Sequence, residues 1–522
     1  MRVLFVYPRM MIYVGSGNMP PTATLNLASF IQREGHGVRI YDRNIAKQSV
    51  SRALDAFEPD VIACTLMFAR QIGDMQSVCR EIRSLRPNLP ILCGGLMASL
   101  IPELILKEGA ADYVGIGEGE YTLLELLEVV SGQREASMVR SLVYLDRDGQ
   151  PVHTPPRPFA DLGEFPETDF SLLPMDKYFG FHPGAPRTLA VYASKGCPGR
   201  CTFCFNEAYH RCQYRARRRQ TVLREMETLA TDWNADGFVF IDELWGVDKE
   251  ELRAYCDDIV ALSEKLGRRI GWACETRIGA LDREDLERMA RAGCFRICFG
   301  LESGSPELLK RMKKGYPLGR IETDIGNCKA VGIRTLPLVI FGFPDETPAQ
   351  IKQTVHTIFR LNPSFYGIGM FYVPPGCAEY NKLVSAGRLE PPTDLAGWAE
   401  WEDSRTMTAN YSAVPDRELN VISGFFYWRM LFQDRGDRTT GRLDYIRMAL
   451  RRVTGNIGRK GFIALCLKQV RFVFWTAWHT YAYPGIRKKY DLYPRNFGRK
   501  DWEDLSHLDD FGVLDTGDGE RM

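Results

Sequence analysis

Cys197, Cys201 and Cys204 fall within eight residues of one another in the stretch SKGCPGRCTFCFN. Thiolates are ligands for soft metals. Four would saturate a tetrahedral centre, whereas three on one loop leave a position open for water, substrate or a cofactor. Three chemistries compete for such a loop. A structural zinc site would draw its fourth ligand from His210 or Cys212, which lie close by in sequence. A nucleophilic cysteine needs one thiol and a neighbouring base and has no use for three. An iron–sulfur cluster held through three of its irons, with the fourth iron open, fits both the spacing and a position at the mouth of a barrel.

The elements around the loop supply that mouth. TLAVYASKG, GFVFIDE, RIGWACETR, RICFGLES, TLPLVIFGFP and YGIGMFYVPP are strand-like runs, separated by helical stretches near 221–232, 249–266, 283–292, 306–313, 319–331 and 347–361. Six βα units in a row predict a partial (β/α)6 barrel whose active face is the carboxyl end of its strands. The polar residues placed there are Asp242 and Glu243 in FIDE, Glu275 and Arg277 in CETR, and Glu302 and Ser303 in GLESGS, with Gly342 in VIFGFP. The cysteine loop follows the first of these strands directly.

Ahead of the barrel, RVLFVYP, GVRIYDRN, DVIACTL, LPILCGG and DYVGIGEGE alternate with amphipathic helical segments such as TATLNLASFIQREG. Five apolar strands alternating with helices predict a doubly wound, Rossmann-like parallel sheet, which binds ligands at its strand ends. Thr65, Gly94, Gly95, Gly117, Glu118 and Gly119 occupy those ends. The expected fold class is therefore α/β: a doubly wound sheet over 1–132, a linker with one short hairpin (LVYLDRDGQPVHT) over 133–186, the partial barrel over 187–384, and a mainly helical region over 385–522.

Composition narrows the setting. At 522 residues the chain exceeds one ordinary core. A net charge of +1 gives no chain-wide attraction to nucleic acid, and no nucleic-acid partner is expected. MRVLFVYPRM lacks the long apolar run and small-residue cleavage site of a secretory leader, and no window reaches the roughly 18 apolar residues of a membrane span. A cytoplasmic location is expected, where most of the 14 cysteines, such as Cys64, Cys93, Cys274 and Cys298 inside strand-like runs, serve as small buried hydrophobes. The tail is different: between 435 and 500 there are sixteen Lys or Arg against three Asp or Glu, around the aromatic stretch FIALCLKQVRFVFWTAWHTYAYPGIRKKY. A helix capping the barrel mouth with a solvated basic rim is one reading, and peripheral contact with an anionic membrane is the other.

The CxxxCxxC loop, with Phe203 just before its last cysteine, resembles the signature of the radical S-adenosylmethionine superfamily. The resemblance implies a 4Fe–4S cluster on Cys197, Cys201 and Cys204, whose open iron is chelated by the amino and carboxylate groups of S-adenosylmethionine; one-electron reduction then cleaves the C5'–S bond to give a 5'-deoxyadenosyl radical. It also implies that Asp242 and Glu243 meet the methionine amino group, that Glu275, Arg277, Glu302 and Ser303 face the ribose and carboxylate, and that Gly342 lies near the adenine. These residue types suit those tasks, although an ordinary strand-end salt bridge would use the same ones.

The first domain is similar to the cobalamin-binding domain found ahead of the barrel in the B12-dependent branch of that superfamily, through PPTATLNLASFIQREGHGVRIYDRN, CGG and GEGE. By that resemblance cobalamin sits on Thr65, Gly94, Gly95, Gly117 and Glu118, with its nucleotide tail displaced into the sheet. The chain departs from many B12 proteins in lacking DxHxxG: His36 is the only histidine in the first 150 residues, and it precedes the second strand. The lower face of cobalt is then expected to meet water or side chains of LMFARQ, with Met67 and Phe68 as candidates. The implied function is a cobalamin-dependent methyltransferase acting through the radical and methylcobalamin on an unactivated carbon, or phosphorus, of a small molecule. An external one-electron reductant such as flavodoxin or ferredoxin is the implied partner. A cyclase or oxidative enzyme of the same architecture, and a zinc-stabilised B12-binding regulatory protein, are the alternatives.

Overall fold

In the computed structural model, residues 1–10, 19–182, 185–401, 409–432, 471 and 473–493 are described. The first sheet is built from β1 (Arg2–Tyr7), β2 (Gly37–Asp42), β3 (Val61–Thr65), β4 (Ile91–Gly94) and β5 (Tyr113–Gly115). They pair in parallel in the order β2-β1-β3-β4-β5. The strands VIACT and RVLFVY are apolar almost throughout because both faces are covered by helices. On one side lie α1 (Thr22–Arg33) and α6 (Glu120–Val130); between these two in the chain come α2 (Val50–Phe57), α3 (Ile72–Leu85), α4 (Leu96–Leu100) and α5 (Pro102–Lys107). This is the doubly wound sheet that the alternation predicts.

The hairpin read in the connector forms, as β6 (Leu142–Leu145) and β7 (Pro151–His153). Asp146 shapes its turn by accepting from the Asp148 and Gln150 N–H groups. The hairpin extends the first sheet, with β6 antiparallel to β5, because β5 would otherwise be an exposed edge. The rest of the connector lies across both sheets. Tyr178 donates to Asp42 at 2.8 Å, and Thr168 reaches Asn26 of α1 and Glu225 of the barrel at 2.8 Å each.

The second sheet contains β8 (Gly180–His182), β9 (Ala185–Val191), β12 (Gly237–Phe240), β13 (Gly271–Thr276), β14 (Cys294–Glu302), β15 (Arg334–Phe341) and β16 (Gly367–Met370), while β10 (Ser194–Lys195) and β11 (Arg215–Ala216) form a separate antiparallel ribbon. The order β16-β15-β14-β13-β12-β9 is parallel throughout and curls into the expected half-barrel, and β8 adds an antiparallel edge that sequence reading did not find. Its outer layer runs from α8 (Arg219–Asp232) through α9 (Lys249–Lys265), α10 (Arg283–Arg291), α11 (Pro306–Arg311) and α12 (Leu318–Ala330) to α13 (Pro348–Leu361), while the short α7 (Asn206–His210) follows the cysteine loop. Alternation along β15 sends Thr335, Pro337, Val339 and Phe341 into that layer. Trp272 is fully buried, and its indole N–H finds the Ala292 carbonyl at 2.9 Å.

After the barrel come α14 (Ala378–Ser385), α15 (Leu395–Glu400) and α16 (Asp416–Phe432). Leu395 and Trp398 of α15 return to the core of the first domain. Among the described residues no helix is long and apolar enough to cross a membrane. Of the basic aromatic tail, 471 and 473–493 are described, whereas 433–470 and 494–522 lie outside the described residues, so the capping and membrane readings fall on them only in part.

Candidate active site between the two sheets

The cysteine loop is held before any metal arrives. Asn206, buried two residues past Cys204, donates to the Cys197 carbonyl at 2.6 Å and to the Gly199 carbonyl at 2.9 Å, and accepts from the Cys197 N–H at 3.1 Å. The Gly199 N–H points at the Cys197 sulfur at 3.3 Å, an orientation that stabilises a thiolate on iron. Gly196 takes φ +80°, and a Cβ there would lie 2.0 Å from the Gln213 carbonyl, so only glycine fits. Burial pushes the Cys197 thiol up and that of Cys204 to about 12, so metal must displace protons to bind.

Among the described residues no three His, Cys, Asp or Glu side chains converge on one ion position of the kind a structural zinc would need, and His210 is bonded through Nε2 to Glu243 at 3.0 Å. A cubane differs in that it takes each thiolate on a separate iron, which the spread cysteines of this loop can supply.

Around the loop the barrel strands deliver a set of charges. Asp242 is turned back onto the step from β9 to β10, where its oxygens accept from the Ala193 N–H at 3.1 Å and from the Ser194 hydroxyl; burial pushes it up to about 7. Asp242 thus fixes the strand end leading into the loop, and Glu243 is the member of the pair that borders the open space. Burial works against the charge of Glu243, but the His210 bond and the Gly196 N–H outweigh it and hold the carboxyl below its usual range. Glu275 is pushed up to about 7 by burial and by nearby Glu302. Glu302 pairs with Lys314 at 2.9 Å, and Arg277 donates to the Lys314 carbonyl at 2.6 Å.

Ser303 does not reach this mouth. The register between β14 and β15 slips between Gly300 and Glu302, where Glu302 adopts φ +60°, and Ser303 is consequently turned into the wall against Thr354 at 3.1 Å. Phe203 stacks edge-on against Phe343 with ring centres 6.4 Å apart, and the Lys314 ammonium stands 5.9 Å from its ring. The Gly342 N–H is held by buried Glu346 at 2.7 Å. Lys314, Glu346 and Asn206 were not singled out as members of this site from sequence, and His210 was considered only as a zinc ligand. Asn206 carried a local signal, standing two residues after the last cysteine.

At the strand ends of the first sheet lies an open cavity of about 1160 Å³. Thr65, Met67, Gly94, Gly95, Gly117 and Glu118 line it, and it runs down between α1 and α6 as far as Ala63, Leu92 and Leu123, a slot suited to a nucleotide tail entering the sheet. Phe68 is not on its wall: its ring lies 5.2 Å from the Arg70 guanidinium, and its N–H is bonded to Gln71. The upper rim of the cavity comes from the barrel domain, through Ser194, Lys195, His210 and Glu243. Residues that flank or hold the cysteine loop, Ser194, Lys195, His210 and Glu243, therefore form part of the cavity wall.

Comparison with known proteins decides what this pairing is. Residues 9–127 match the B12 binding domain, and residues 191–358 match the radical SAM superfamily. The chain belongs to the B12-binding radical SAM enzymes. The cofactors of this enzyme are a 4Fe–4S cluster, S-adenosylmethionine and cobalamin. It is 29% identical to an uncharacterized methyltransferase of Pyrococcus horikoshii over 71% of its own length and 80% of that protein. It is 25% identical to the anaerobic magnesium-protoporphyrin IX monomethyl ester cyclase of Rubrivivax gelatinosus over 71% of its length and 68% of that protein. The structure of the radical S-adenosylmethionine methyltransferase TsrM from Kitasatospora setae, with cobalamin and its iron–sulfur cluster bound, superposes with a TM-score of 0.64 at 18% identity, over 86% of this chain and 99% of that one. At that identity the likeness is one of fold.

Proposed function

We propose that this radical SAM enzyme is a methyltransferase that methylates an unactivated carbon, or phosphorus, of a small molecule. The observation that carries the reading is Glu243, which both borders the open cavity at the strand ends of the first sheet and holds the cysteine loop through the Gly196 N–H. Bound there, the cluster with S-adenosylmethionine supplies a hydrogen-abstracting radical, and cobalamin supplies a transferable methyl group. In this reading Cys197, Cys201 and Cys204 hold the cluster. Arg277 and Lys314 supply positive charge for the methionine carboxylate. Glu243, with Glu275 and Glu302, offers acceptors to its ammonium and ribose hydroxyls, and the Gly342 turn gives the adenine a backbone edge. Gly94, Gly95, Gly117 and Glu118 cradle cobalamin, and Met67 borders the slot where the lower face of cobalt would lie. An external one-electron donor of the flavodoxin or ferredoxin kind completes the system, and a cytoplasmic location suits its reduced thiols.

A cyclase without net methyl transfer is the second reading, favoured by the relative that carries that name. Incubation of the reduced holoenzyme with methyl-labelled S-adenosylmethionine and candidate substrates separates the two. Label in a product alongside 5'-deoxyadenosine supports methyl transfer. A ring-closed product without label would replace it with cyclisation.

A further inference from the structure

The chain segment that carries the cysteines also grips the cavity loop of the other domain. Glu118, in the GEGE loop after β5, accepts two bonds from the Arg215 guanidinium, at 2.9 and 2.7 Å, and lies 3.4 Å from the Lys195 ammonium. Lys195 also meets Glu120 at 3.3 Å. Tyr209 adds a third hold, its hydroxyl donating to the Gly117 carbonyl at 3.0 Å. Lys195 and Arg215 are register partners in the β10–β11 ribbon, and Lys195 stands two residues before Cys197. The ribbon therefore closes on Glu118 like a clasp, with the cysteine loop and α7 strung between its two strands.

Two cations and two carboxylates balance in charge, and their side chains are only 8–23% exposed. Desolvating four charges consumes most of what their attraction returns, so such a network is a poor stabiliser and acts by fixing one arrangement over others. Arg215 is further fixed by the Ala160 carbonyl at 3.0 Å and by the Phe159 ring 4.2 Å beneath it. The arrangement fixed here is that of Gly117 and Glu118, which line the cobalamin cavity, relative to the cysteine loop.

We propose that the Lys195–Glu118–Arg215 clasp is a positioning device that couples the two cofactor sites, so that filling the cavity favours the cluster-bearing form of the loop and the cluster favours cobalamin binding. Coupling of this kind is reciprocal, each ligand changing the affinity of the other by the same factor, typically on the order of ten-fold. The proposal rests on the assignment of the two cofactors, not on which reaction they support.

The test uses Arg215→Gln, a residue that lines neither the cavity nor the cysteine loop, with Arg215→Lys as the conservative partner. Hydroxocobalamin affinity is titrated anaerobically in the wild-type chain with and without the reconstituted cluster, and the rate of iron loss to a chelator is measured with and without cobalamin. The wild type should show a gain of roughly ten-fold in cobalamin affinity when the cluster is present, and slower iron loss when cobalamin is bound. Arg215→Gln should bind both cofactors with that gain reduced towards one, and Arg215→Lys should recover part of it. If Arg215→Gln melts with the unfolding signature of a damaged fold, Tyr209→Phe, which removes the hydrogen bond to Gly117 beside the clasp from a residue on the cavity wall, should keep the cobalamin affinity measured without the cluster and show a smaller loss of coupling. A gain that survives both variants, or a wild type in which the cofactors bind independently, overturns the clasp alone. A wild type that takes up no cobalamin overturns the assignment of the cavity as well.

Discussion

Glu243 and His210 meet at 3.0 Å on the rim of the cavity at the strand ends of the first sheet, and the other oxygen of the same carboxylate accepts the Gly196 N–H at 2.9 Å, one residue before the first cysteine. The carboxylate is thus a structural holder of the loop and a charge bordering the cavity. The two roles separate on substitution. Glu243→Gln keeps an oxygen for the Gly196 N–H but loses the charge, whereas Glu243→Ala loses both. Iron content after reconstitution should therefore fall in the alanine variant and stay close to wild type in the glutamine one. S-adenosylmethionine affinity should fall about ten-fold or more in both, as for a lost charged hydrogen bond. Iron analysis and equilibrium binding check this, and wild-type affinity in Glu243→Gln would remove the carboxylate from the ligand site.

Cys201→Ala should abolish both the four-iron absorbance and 5'-deoxyadenosine formation, because the loop has no fourth thiol positioned to replace it. Cys212 is the nearest in sequence, and it lies past α7 in a left-handed turn at φ +55°. Iron and sulfide analysis of anaerobically reconstituted protein is the measurement. Zinc retained in place of iron would sink the cluster assignment.

What the sequence disclosed follows the range of the interactions. The order of strands and helices was legible because each parallel strand is buried on both faces and bounded by glycine or polar residues. The cysteine triad was legible because its ligands are neighbours in the chain. Lys314 and Glu346 were not, since their partners Glu302 and Gly342 are brought in by the packing of separate elements, and His210, close enough to the cysteines to suggest a zinc ligand, is bonded instead to Glu243 from another strand. The position of Ser303 was hidden for a different reason. Period-two alternation fails at the bulge before Glu302, and nothing in GLESGS announces the slip. Asp242 and Glu243 were read as equals, yet only the fold decides which of two adjacent carboxylates turns inward. The clasp likewise needed the approach of two domains.

The two glycines at the end of β4 should behave differently. Gly95 holds φ +102°, and a Cβ there would lie 2.8 Å from the Leu66 carbonyl, so Gly95→Ala strains the backbone and should lower the melting temperature. Gly94 is not in the left-handed region, and the nearest atom to its Cβ position is the Gly115 carbonyl oxygen at 3.9 Å, while the residue lines the cavity. Gly94→Trp should therefore leave the fold intact and block cobalamin by filling the slot. Thermal melting and cobalamin retention on gel filtration read the two effects separately. Full retention in Gly94→Trp would show that cobalamin lies elsewhere.

Glu346 should give the barrel a pH-dependent stability. Its carboxyl is fully buried, accepts the Gly342 and Phe343 N–H groups at 2.7 and 3.2 Å, and leaves its Oε1 enclosed. Burial pushes it up to about 8 against an ordinary 4.5, the two N–H bonds offsetting only part of the cost. The native chain therefore keeps this proton at neutral pH, whereas the unfolded chain has released it. Where the native state binds the extra proton, stability falls as pH rises, here from about 4.5 until the native carboxyl ionises near 8, and the total is of the order of a few kcal/mol. Glu346→Gln mimics the protonated acid and retains an oxygen for the two N–H groups, so it should remove this component. Melting temperatures of wild type and variant at intervals from pH 6 to 8 provide the comparison. The wild type should lose stability with pH more steeply than Glu346→Gln, the two curves lying closest at the acid end. Parallel curves across that range would mean that Glu346 is ionised in the native state and that the Gly342 turn is held by a carboxylate.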